Sequence, residues 1–287
     1  MGGGTYSSTT RHERAVTSGF YSKPKEEIFT QRSINNAMNP FGISIRESRD
    51  SAEHPNSLAI ILALDVTGSM GSIPHHLVKD GLPDLMQGIM DKGLKDPQLL
   101  FLAIGDHACG DKAPLQVGQF ESSDELLDKW LTDVWLEGGG GSNEGESYLL
   151  AWYFAALHTS IDCLEKRSQK GFLFTVGDEP TLKSISSKRL ASIMGDGQYE
   201  TLSDGDLLAK AREKYHVYHL HIKETASGGR TYVQDGWKQL MGDNVIMVDR
   251  YQDVSGIIVS IVTKHLDIAN QVPETEKPAE KKPTKML

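Results

Sequence analysis

The chain alternates short apolar segments with amphipathic ones, and this alternation predicts an α/β fold. The segment 58–64 is uniformly aliphatic, which is typical of a central parallel strand buried on both faces. Helical segments separate most successive strands, and such crossovers place parallel strands in one sheet. We therefore predict a doubly wound, mostly parallel six-stranded sheet with helices on both faces and one short antiparallel edge strand.

The spacing of apolar residues and the positions of turn residues predict the individual strands and helices. Strands are predicted at 58–64, 99–105, 115–117, 172–176, 215–222 and 245–248, with 115–117 as the antiparallel edge. Helices are predicted at 73–93, 123–134, 146–166, 182–194, 204–214, 236–241 and 253–266. A weakly alternating stretch at 41–46 is a further edge-strand candidate.

The composition divides the chain into a domain with two appendages. Residues 1–56 are rich in Gly, Ser, Thr, Asn and charge, so we expect a partly disordered extension whose first twenty residues are mobile. Residues 57–268 carry the alternating pattern of the domain. Residues 269–287 interleave Pro with Lys and Glu, which predicts a disordered, solvated tail.

Charge and motifs exclude several classes of function. The formal net charge is -9 and no dense Lys/Arg stripe occurs in the domain, which argues against nucleic-acid and anionic-membrane partners. No glycine-rich phosphate loop lies between a strand and a helix, so neither dinucleotide binding nor ATP hydrolysis by a P-loop is expected. Two cysteines, no secretory signal and no long apolar span predict a cytoplasmic protein.

Three polar loops follow predicted strands or precede predicted helices at one edge of the sheet. The first contains Asp65, Thr67 and Ser69, directly after the strand 58–64. The second runs from 137 to 146 and contains four glycines followed by Ser142. The third contains Asp178, after the strand 172–176. Open α/β sheets bind ligands at this edge, so we expect the three loops to form one site.

These loops resemble the metal-ion-dependent adhesion site of the von Willebrand factor type A (vWA) domain, a Rossmann-like fold. In that family an Asp-x-Ser-x-Ser loop, a Thr loop and a distant Asp hold the metal. The resemblance covers roughly residues 57–268 and implies five metal-site residues: Asp65, Thr67, Ser69, Ser142 and Asp178. Thr67 and Ser142 depart from the usual Ser and Thr. The third loop reads Val-Gly-Asp-Glu where the family often has Thr-Asp-Gly, which leaves Glu179 as an alternative to Asp178.

The donor set fits a hard cation. Mg²⁺ prefers oxygen ligands and keeps several waters, so carboxylates and hydroxyls can hold it without neutralising it; Mn²⁺ or Ca²⁺ are alternatives. An open ligand position would then accept an Asp or Glu from a protein partner. The resemblance thus implies a binding module rather than an enzyme, namely an intracellular adaptor or assembly factor. The resemblance to vWA proteins suggests that the partner is an AAA-type ATPase or a larger assembly.

Other interpretations stay open at this point. Thr67 and Ser69 could cap the helix that begins near residue 73, and Ser142 or Asn143 could form a capping box with Glu146. The first loop also resembles the Asp-Lys-Thr-Gly-Thr loop of Mg²⁺-dependent haloacid-dehalogenase-type phosphotransferases, in which Asp65 would be the nucleophile. An architectural protein that uses its tails or the segment 181–214 as its interface is a third alternative.

We assign most of the remaining polar and aromatic residues to loops or to packing rather than to a functional site. Asp106, His107, Cys109 and Asp111 match no strong zinc pattern, and we expect a polar loop beside the site. Either Asp106 or Glu144 could join the metal. Period two places His219 and His221 on one face of their strand, where core histidines are expected. The tryptophans are assigned to packing; they are Trp130, Trp135, Trp152 and Trp237.

Overall fold

The computed structural model describes residues 4–138 and 145–271, with side chains up to residue 267. Its strands are β1 (Arg46–Ser48), β2 (Leu58–Asp65), β3 (Pro97–Ile104), β4 (Leu115–Glu121), β5 (Thr159–Ile161), β6 (Gly171–Gly177), β7 (Ser184–Ile185), β8 (Leu202–Ser203), β9 (Tyr215–Ile222) and β10 (Val245–Val248). Its helices are α1 (Ser8–Thr17), α2 (Lys25–Ile28), α3 (Ile73–His76), α4 (Leu82–Asp91), α5 (Asp124–Thr132), α6 (Tyr148–Leu157), α7 (Asp162–Glu165), α8 (Ser187–Met194), α9 (Asp204–Lys214), α10 (Thr231–Met241) and α11 (Val254–Gln271).

A six-stranded sheet with the order β10-β9-β6-β2-β3-β4 forms the centre of the domain. The strands pair in parallel except at β4, which pairs antiparallel with β3. Helices α4, α5 and α11 pack on one face, and α6, α9 and α10 pack on the other. The predicted fold class is confirmed, including the antiparallel edge strand, which extends to Glu121 rather than ending at 117.

The direction of winding reverses at β2. The chain moves from β2 to β3 on one side, and it later returns to place β6 on the other side. Such a reversal leaves a crevice at the carboxyl ends of the two strands, because the following loops leave toward opposite faces. The carboxyl ends of β2 and β6 therefore define the expected ligand site.

The helix predicted at 73–93 is interrupted in its middle. Residues Leu77–Gly81 form a π turn between α3 and α4. Pro83 has no N–H to donate and its ring collides with the carbonyl four residues earlier, which disfavours an unbroken α-helix here. The carbonyl of Gly81 accepts a hydrogen bond from the Ser255 hydroxyl of α11 at 2.6 Å. The break is thus stabilised by a neighbouring helix.

Other differences concern segments that join elements. The helix predicted at 146–166 ends at Leu157 and is followed by β5 and the single turn α7. The helix predicted at 182–194 begins only at 187, after β7. The helix predicted at 236–241 begins earlier, at Thr231. The edge strand considered at 41–46 lies instead at Arg46–Ser48, where β1 pairs with β5 outside the central sheet.

The N-terminal extension contains a helix where mobility was predicted. Helix α1 packs against α5, and its Arg11 side chain is only 2% exposed. Arg11 Nε lies 2.8 Å from Asp128 Oδ1, and Arg14 pairs with both Asp124 and Asp128 at 2.6 Å. A docked helix therefore occupies Ser8–Thr17, within the stretch for which the sequence predicted mobility. Within the described residues, no helix combines the length and apolarity needed to cross a membrane.

Gly88 of α4 packs against Val259 of α11. A Cβ at this position would lie 2.8 Å from Val259 Cγ2, so Gly88→Ala should destabilise the protein by about 1–3 kcal/mol through overpacking. Gly236 is also helical but has no atom within 4 Å of an added Cβ. Gly236→Ala should therefore stabilise by about 0.5–1 kcal/mol. Urea unfolding of both variants measures the difference, and equal effects would contradict the proposed helix contact.

Candidate metal site

The site lies at the carboxyl ends of three adjacent parallel strands. Asp65 is the last residue of β2, Asp178 follows β6 directly, and Asp106 follows β3 after one glycine. All three carboxyl groups are buried. The register pairs Asp65 with Ile104 and Leu64 with Val176, so the strand ends are level with each other. The fold thus brings together side chains separated by more than 100 residues of sequence.

The first loop is organised around Asp65. Its Oδ1 accepts hydrogen bonds from the Thr67 backbone N–H at 2.9 Å and from the Thr67 hydroxyl at 2.6 Å. Its Oδ2 accepts from the Tyr148 hydroxyl of α6 at 2.7 Å. Both carboxylate oxygens are therefore held, and the Asp65 side chain cannot rotate without losing these bonds.

Two hydroxyl groups connect Asp65 to Asp178. The Thr67 and Ser69 hydroxyl oxygens lie 3.2 Å apart, and the Ser69 hydroxyl donates to Asp178 Oδ1 at 2.9 Å. Asp178 Oδ2 is buried and has no hydrogen-bond partner among the described residues. A buried carboxylate oxygen without a donor costs free energy, so this oxygen lacks a compensating group, which a cation could supply.

The capping interpretation of the first loop is wrong. Thr67 precedes a 3₁₀ turn at Gly68–Met70 and Ser69 lies within it, and neither side chain caps α3, whose N-cap is Ser72. Their hydroxyls instead face the two carboxylates. Thr67 and Ser69 are therefore available as oxygen donors at the site.

Glu146 is a further buried carboxylate that sequence reasoning assigned to helix capping. Its backbone is fixed between two of the strand-end loops: Glu146 N–H donates to Pro180 O at 2.8 Å, and Ser147 N–H donates to Gly105 O at 3.0 Å. Helix α6 begins only at Tyr148, so Glu146 lies outside the helix and the capping prediction is wrong for it. Glu146 Oε2 and Asp106 Oδ2 are buried, and neither has a hydrogen-bond partner in the described part of the chain.

Burial and mutual repulsion favour the neutral forms of these carboxyls. Burial, followed by the charge of Asp178, raises the pKa of Asp65 to about 7, although bonds from Thr67 and Tyr148 oppose the shift. Burial, followed by Asp65 and Asp106, raises the pKa of Glu146 to about 10. None of the ion pairs formed among the described residues involves Asp65, Glu146 or Asp178. The site therefore brings together carboxyl groups that no cationic side chain among the described residues pairs with.

Tyr148 links the site to the hydrophobic core. Burial, followed by the charges of Asp65 and Asp178, raises the pKa of Tyr148 well above its ordinary value, so its hydroxyl stays a donor. A Cβ on Gly177 would lie 1.8 Å from this hydroxyl, which explains the glycine at the end of β6. The Tyr148 ring packs edge-on against Trp237 and His219, and the latter two stack at 3.5 Å.

The structure also shows where other residues singled out in the sequence lie. His219 and His221 are buried neighbours, as their strand period predicted, and they bond to Thr175 and to the Gly228 carbonyl. The loop that contains Asp106 and Asp111 borders the site, with Asp111 Oδ2 accepting from Asp106 N–H at 2.8 Å. Ser142 and Glu144 lie outside the described residues, so their predicted roles stay predictions.

The donors suit a hard cation better than a zinc-type cluster. Among residues 4–138 and 145–267, no three His, Cys, Asp or Glu side chains are arranged to hold a metal by themselves. The oxygens that converge are those of two carboxylates and two hydroxyls. Mg²⁺ uses few protein ligands and retains waters, whereas structural zinc sites take four nitrogen or sulfur ligands. The residues present therefore fit a divalent cation of the Mg²⁺ type.

The chain is similar in structure to several solved proteins, with low sequence identity. No protein-family model matches the chain, and no curated protein matches it at a significant level. The pilus adhesin SpaC from Lactobacillus rhamnosus GG is 11% identical over 77% of this chain and 31% of its own, with a TM-score of 0.48. Proximal thread matrix protein 1 from the mussel byssus, with a zinc-occupied MIDAS motif, is 13% identical over 73% of this chain and 48% of its own, with a TM-score of 0.46.

An aerotolerance-related membrane protein from Bacteroides fragilis is 11% identical over 72% of this chain and 99% of its own, with a TM-score of 0.42. The chain spans about a third of the adhesin chain and about half of the byssus protein chain. Because these similarities are low, we assign the fold from the strand order and register given above. The vWA-like fold predicted from the sequence is confirmed by that topology.

Tyr148→Phe removes the hydroxyl that donates to Asp65 Oδ2. Leaving a buried carboxylate oxygen without its donor should destabilise the protein by about 1.5–3 kcal/mol at pH 8. Tyr153→Phe is a matched control on the same helix, because the Tyr153 hydroxyl bonds to His158 at 3.3 Å rather than to a carboxylate. Urea unfolding should show the larger loss for Tyr148. A smaller effect there than at Tyr153 would contradict the assigned hydrogen bond.

Glu146 should make the metal-free protein less stable, relative to a Glu146→Gln variant, as pH rises from about 5 to 8. Burial raises the folded-state pKa of this carboxyl to about 10, so the folded state keeps a proton there that the unfolded state loses. The stability that this proton contributes is fully present below the ordinary carboxyl pKa and is lost toward the folded-state value. Thermal unfolding of both proteins in EDTA measures the difference in Tm, in which the opposite contribution of the buried histidines, whose pKa values are lowered, cancels. A difference that stays constant between pH 5 and 8 would contradict this prediction.

Proposed function

We propose that this protein is a metal-dependent protein-binding module. Its site would hold a divalent cation at the carboxyl edge of the sheet and capture an acidic side chain of a partner. The observation that supports this proposal most directly concerns Asp178: its buried Oδ2 has no donor among the described residues, while its Oδ1 is connected through the Ser69 and Thr67 hydroxyls to Asp65. A cation would compensate the charge that no protein cation among the described residues balances.

Each residue has a distinct part in this proposal. Asp178 would offer its Oδ2 to the cation and Ser69 would offer the lone pairs of its hydroxyl oxygen, whereas Asp65 is held by Tyr148 and orients Thr67. Ser142 would supply a hydroxyl from the glycine-rich loop. Mg²⁺ is the proposed ion, with Mn²⁺ or Ca²⁺ as alternatives, because the donors are all oxygens. A cation bound there would keep residual positive charge that attracts a carboxylate of the partner.

Binding explains the geometry better than turnover does. A phosphotransferase with Asp65 as nucleophile needs a carboxylate oxygen free to attack, but both Asp65 oxygens accept hydrogen bonds and the side chain is fully buried. We therefore propose that the chain is not an enzyme. Hydrolysis of p-nitrophenyl phosphate in Mg²⁺ by the wild type, lost in Asp65→Asn, would favour the phosphotransferase instead.

The partner is proposed by its chemistry. It would be a protein that presents an Asp or Glu side chain on an exposed segment, in keeping with an intracellular adaptor or assembly factor. An AAA-type ATPase or a larger assembly is one such setting, since the sequence itself lacks a P-loop. The net charge of -9 does not favour nucleic acid or an anionic membrane as the partner.

Added divalent cation should raise the Tm of the wild type at pH 7.5, because a ligand that binds only the folded state stabilises it. Asp178→Asn should raise the Tm without metal, since it removes repulsion with Asp65, yet abolish the metal-dependent increase. Differential scanning calorimetry with Mg²⁺, Mn²⁺, Ca²⁺ and Zn²⁺ measures both effects. An unchanged response in Asp178→Asn would refute the assigned site.

Capture of partner proteins should depend on the same residues. Affinity purification from the native cell with and without EDTA should recover partners only when metal is present. Asp65→Ala should lose them while keeping a cooperative unfolding transition. Undiminished capture by this variant and in EDTA would indicate the architectural alternative, in which the tails or the segment 181–214 form the interface.

A further inference from the structure

A cavity lies next to the loop that contains Asp106, outside the candidate metal site. It has a volume of about 370 Å³, within the range of sites that bind small ligands or single side chains. Its walls come from three parts of the chain: the N-terminal extension at Phe41, the loop after β3 at Lys112, and helix α8 at Arg189 and Ile193. Three separate segments thus converge on one concave surface.

Arg189 is a cation of this cavity that forms no ion pair with a described residue. Its Nε is buried without a hydrogen-bond partner, and its guanidinium forms no ion pair or hydrogen bond with the described residues. Lys112 adds a second positive charge, and Asp111 the one negative charge among the lining residues. Arg189 is partly buried as a whole, and its buried Nε–H, which no described residue accepts from, is left for an acceptor supplied by a ligand. Its planar donors match a carboxylate.

Part of the cavity lining is apolar. Phe41 lines the cavity yet is 57% exposed, and Ile34 and Pro40 extend this part. An exposed aromatic ring beside a cationic pocket offers contact area to an apolar side chain next to the bound acid. The cavity therefore combines the two features that recognise a short amphipathic acidic segment.

The cavity and the metal site share a loop. Asp106 borders the metal site, and Asp111, which lines the cavity, accepts a hydrogen bond from Asp106 N–H at 2.8 Å. We propose that this cavity binds a second acidic residue of the partner, with an adjacent apolar residue packed on Phe41. The inference rests on the proposed function for the identity of the partner, but binding in the cavity does not require the metal.

The test uses the full chain in EDTA and two peptides that differ at one group. The ¹⁵N-labelled protein is titrated with N-acetyl-Phe-Asp amide and with N-acetyl-Phe-Asn amide. The Asp peptide should shift the Arg189 Nε–H resonance and the Lys112 amide with millimolar affinity, and the Asn peptide should bind at least about fivefold more weakly. Arg189→Gln should abolish the shifts, and Arg189→Lys should retain part of the affinity. Lys188→Gln, on the same helix but outside the lining, should bind as the wild type does.

Specific results would overturn the inference. These are equal binding of the two peptides, binding unaffected by Arg189→Gln, or a response to inorganic phosphate with none to the Asp peptide. A well-dispersed spectrum of Arg189→Gln confirms that the variant is folded. Since the titration is carried out without metal, its failure leaves the metal-dependent Tm result standing, and the converse also holds.

Discussion

Repulsion between two buried carboxylates is the constraint around which this site is arranged. Asp65 and Asp178 end neighbouring parallel strands, so the sheet itself forces them together. Water is excluded, and the pKa of Asp65 rises accordingly. The two hydroxyls between them and the Tyr148 hydroxyl reduce the repulsion without removing the charge. Such an arrangement is costly unless a cation is part of the working protein.

The buried carboxyl groups lie at the edge of the sheet where open α/β folds bind ligands. The change in winding direction at β2 leaves room above the strand ends, and the loops after β3 and β6 are tied to Glu146 and Ser147 by backbone hydrogen bonds. The site is therefore rigid in its backbone. A ligand would meet preorganised oxygens rather than having to gather them.

The sequence predicted the central sheet because its signals are local. The aliphatic run that forms β2 and the glycine-rich and acidic loops can be recognised without knowing any tertiary contact. Glu146 was misassigned for the opposite reason: its position three residues after Asn143 matches a capping box, and only the backbone bonds of Glu146 to Pro180 and of Ser147 to Gly105 show that α6 begins later. Tyr148 was also missed, since an aromatic residue in an apolar helix gives no sign that its hydroxyl reaches a strand end. The helix α1 was missed because its stability comes from ion pairs with α5, more than 100 residues away.

That docked helix changes what counts as the minimal folding unit. A fragment cut at the compositional boundary near residue 57 would lose Arg11 and Arg14, and the carboxylates of Asp124 and Asp128 would face one another on α5 with no counter-charge. The surface beneath α1, including the Val78 carbonyl that Arg11 covers, would be opened to water. Shortened versions of the protein should therefore begin ahead of Ser7, the residue whose hydroxyl caps α1, if they are to report on the intact molecule.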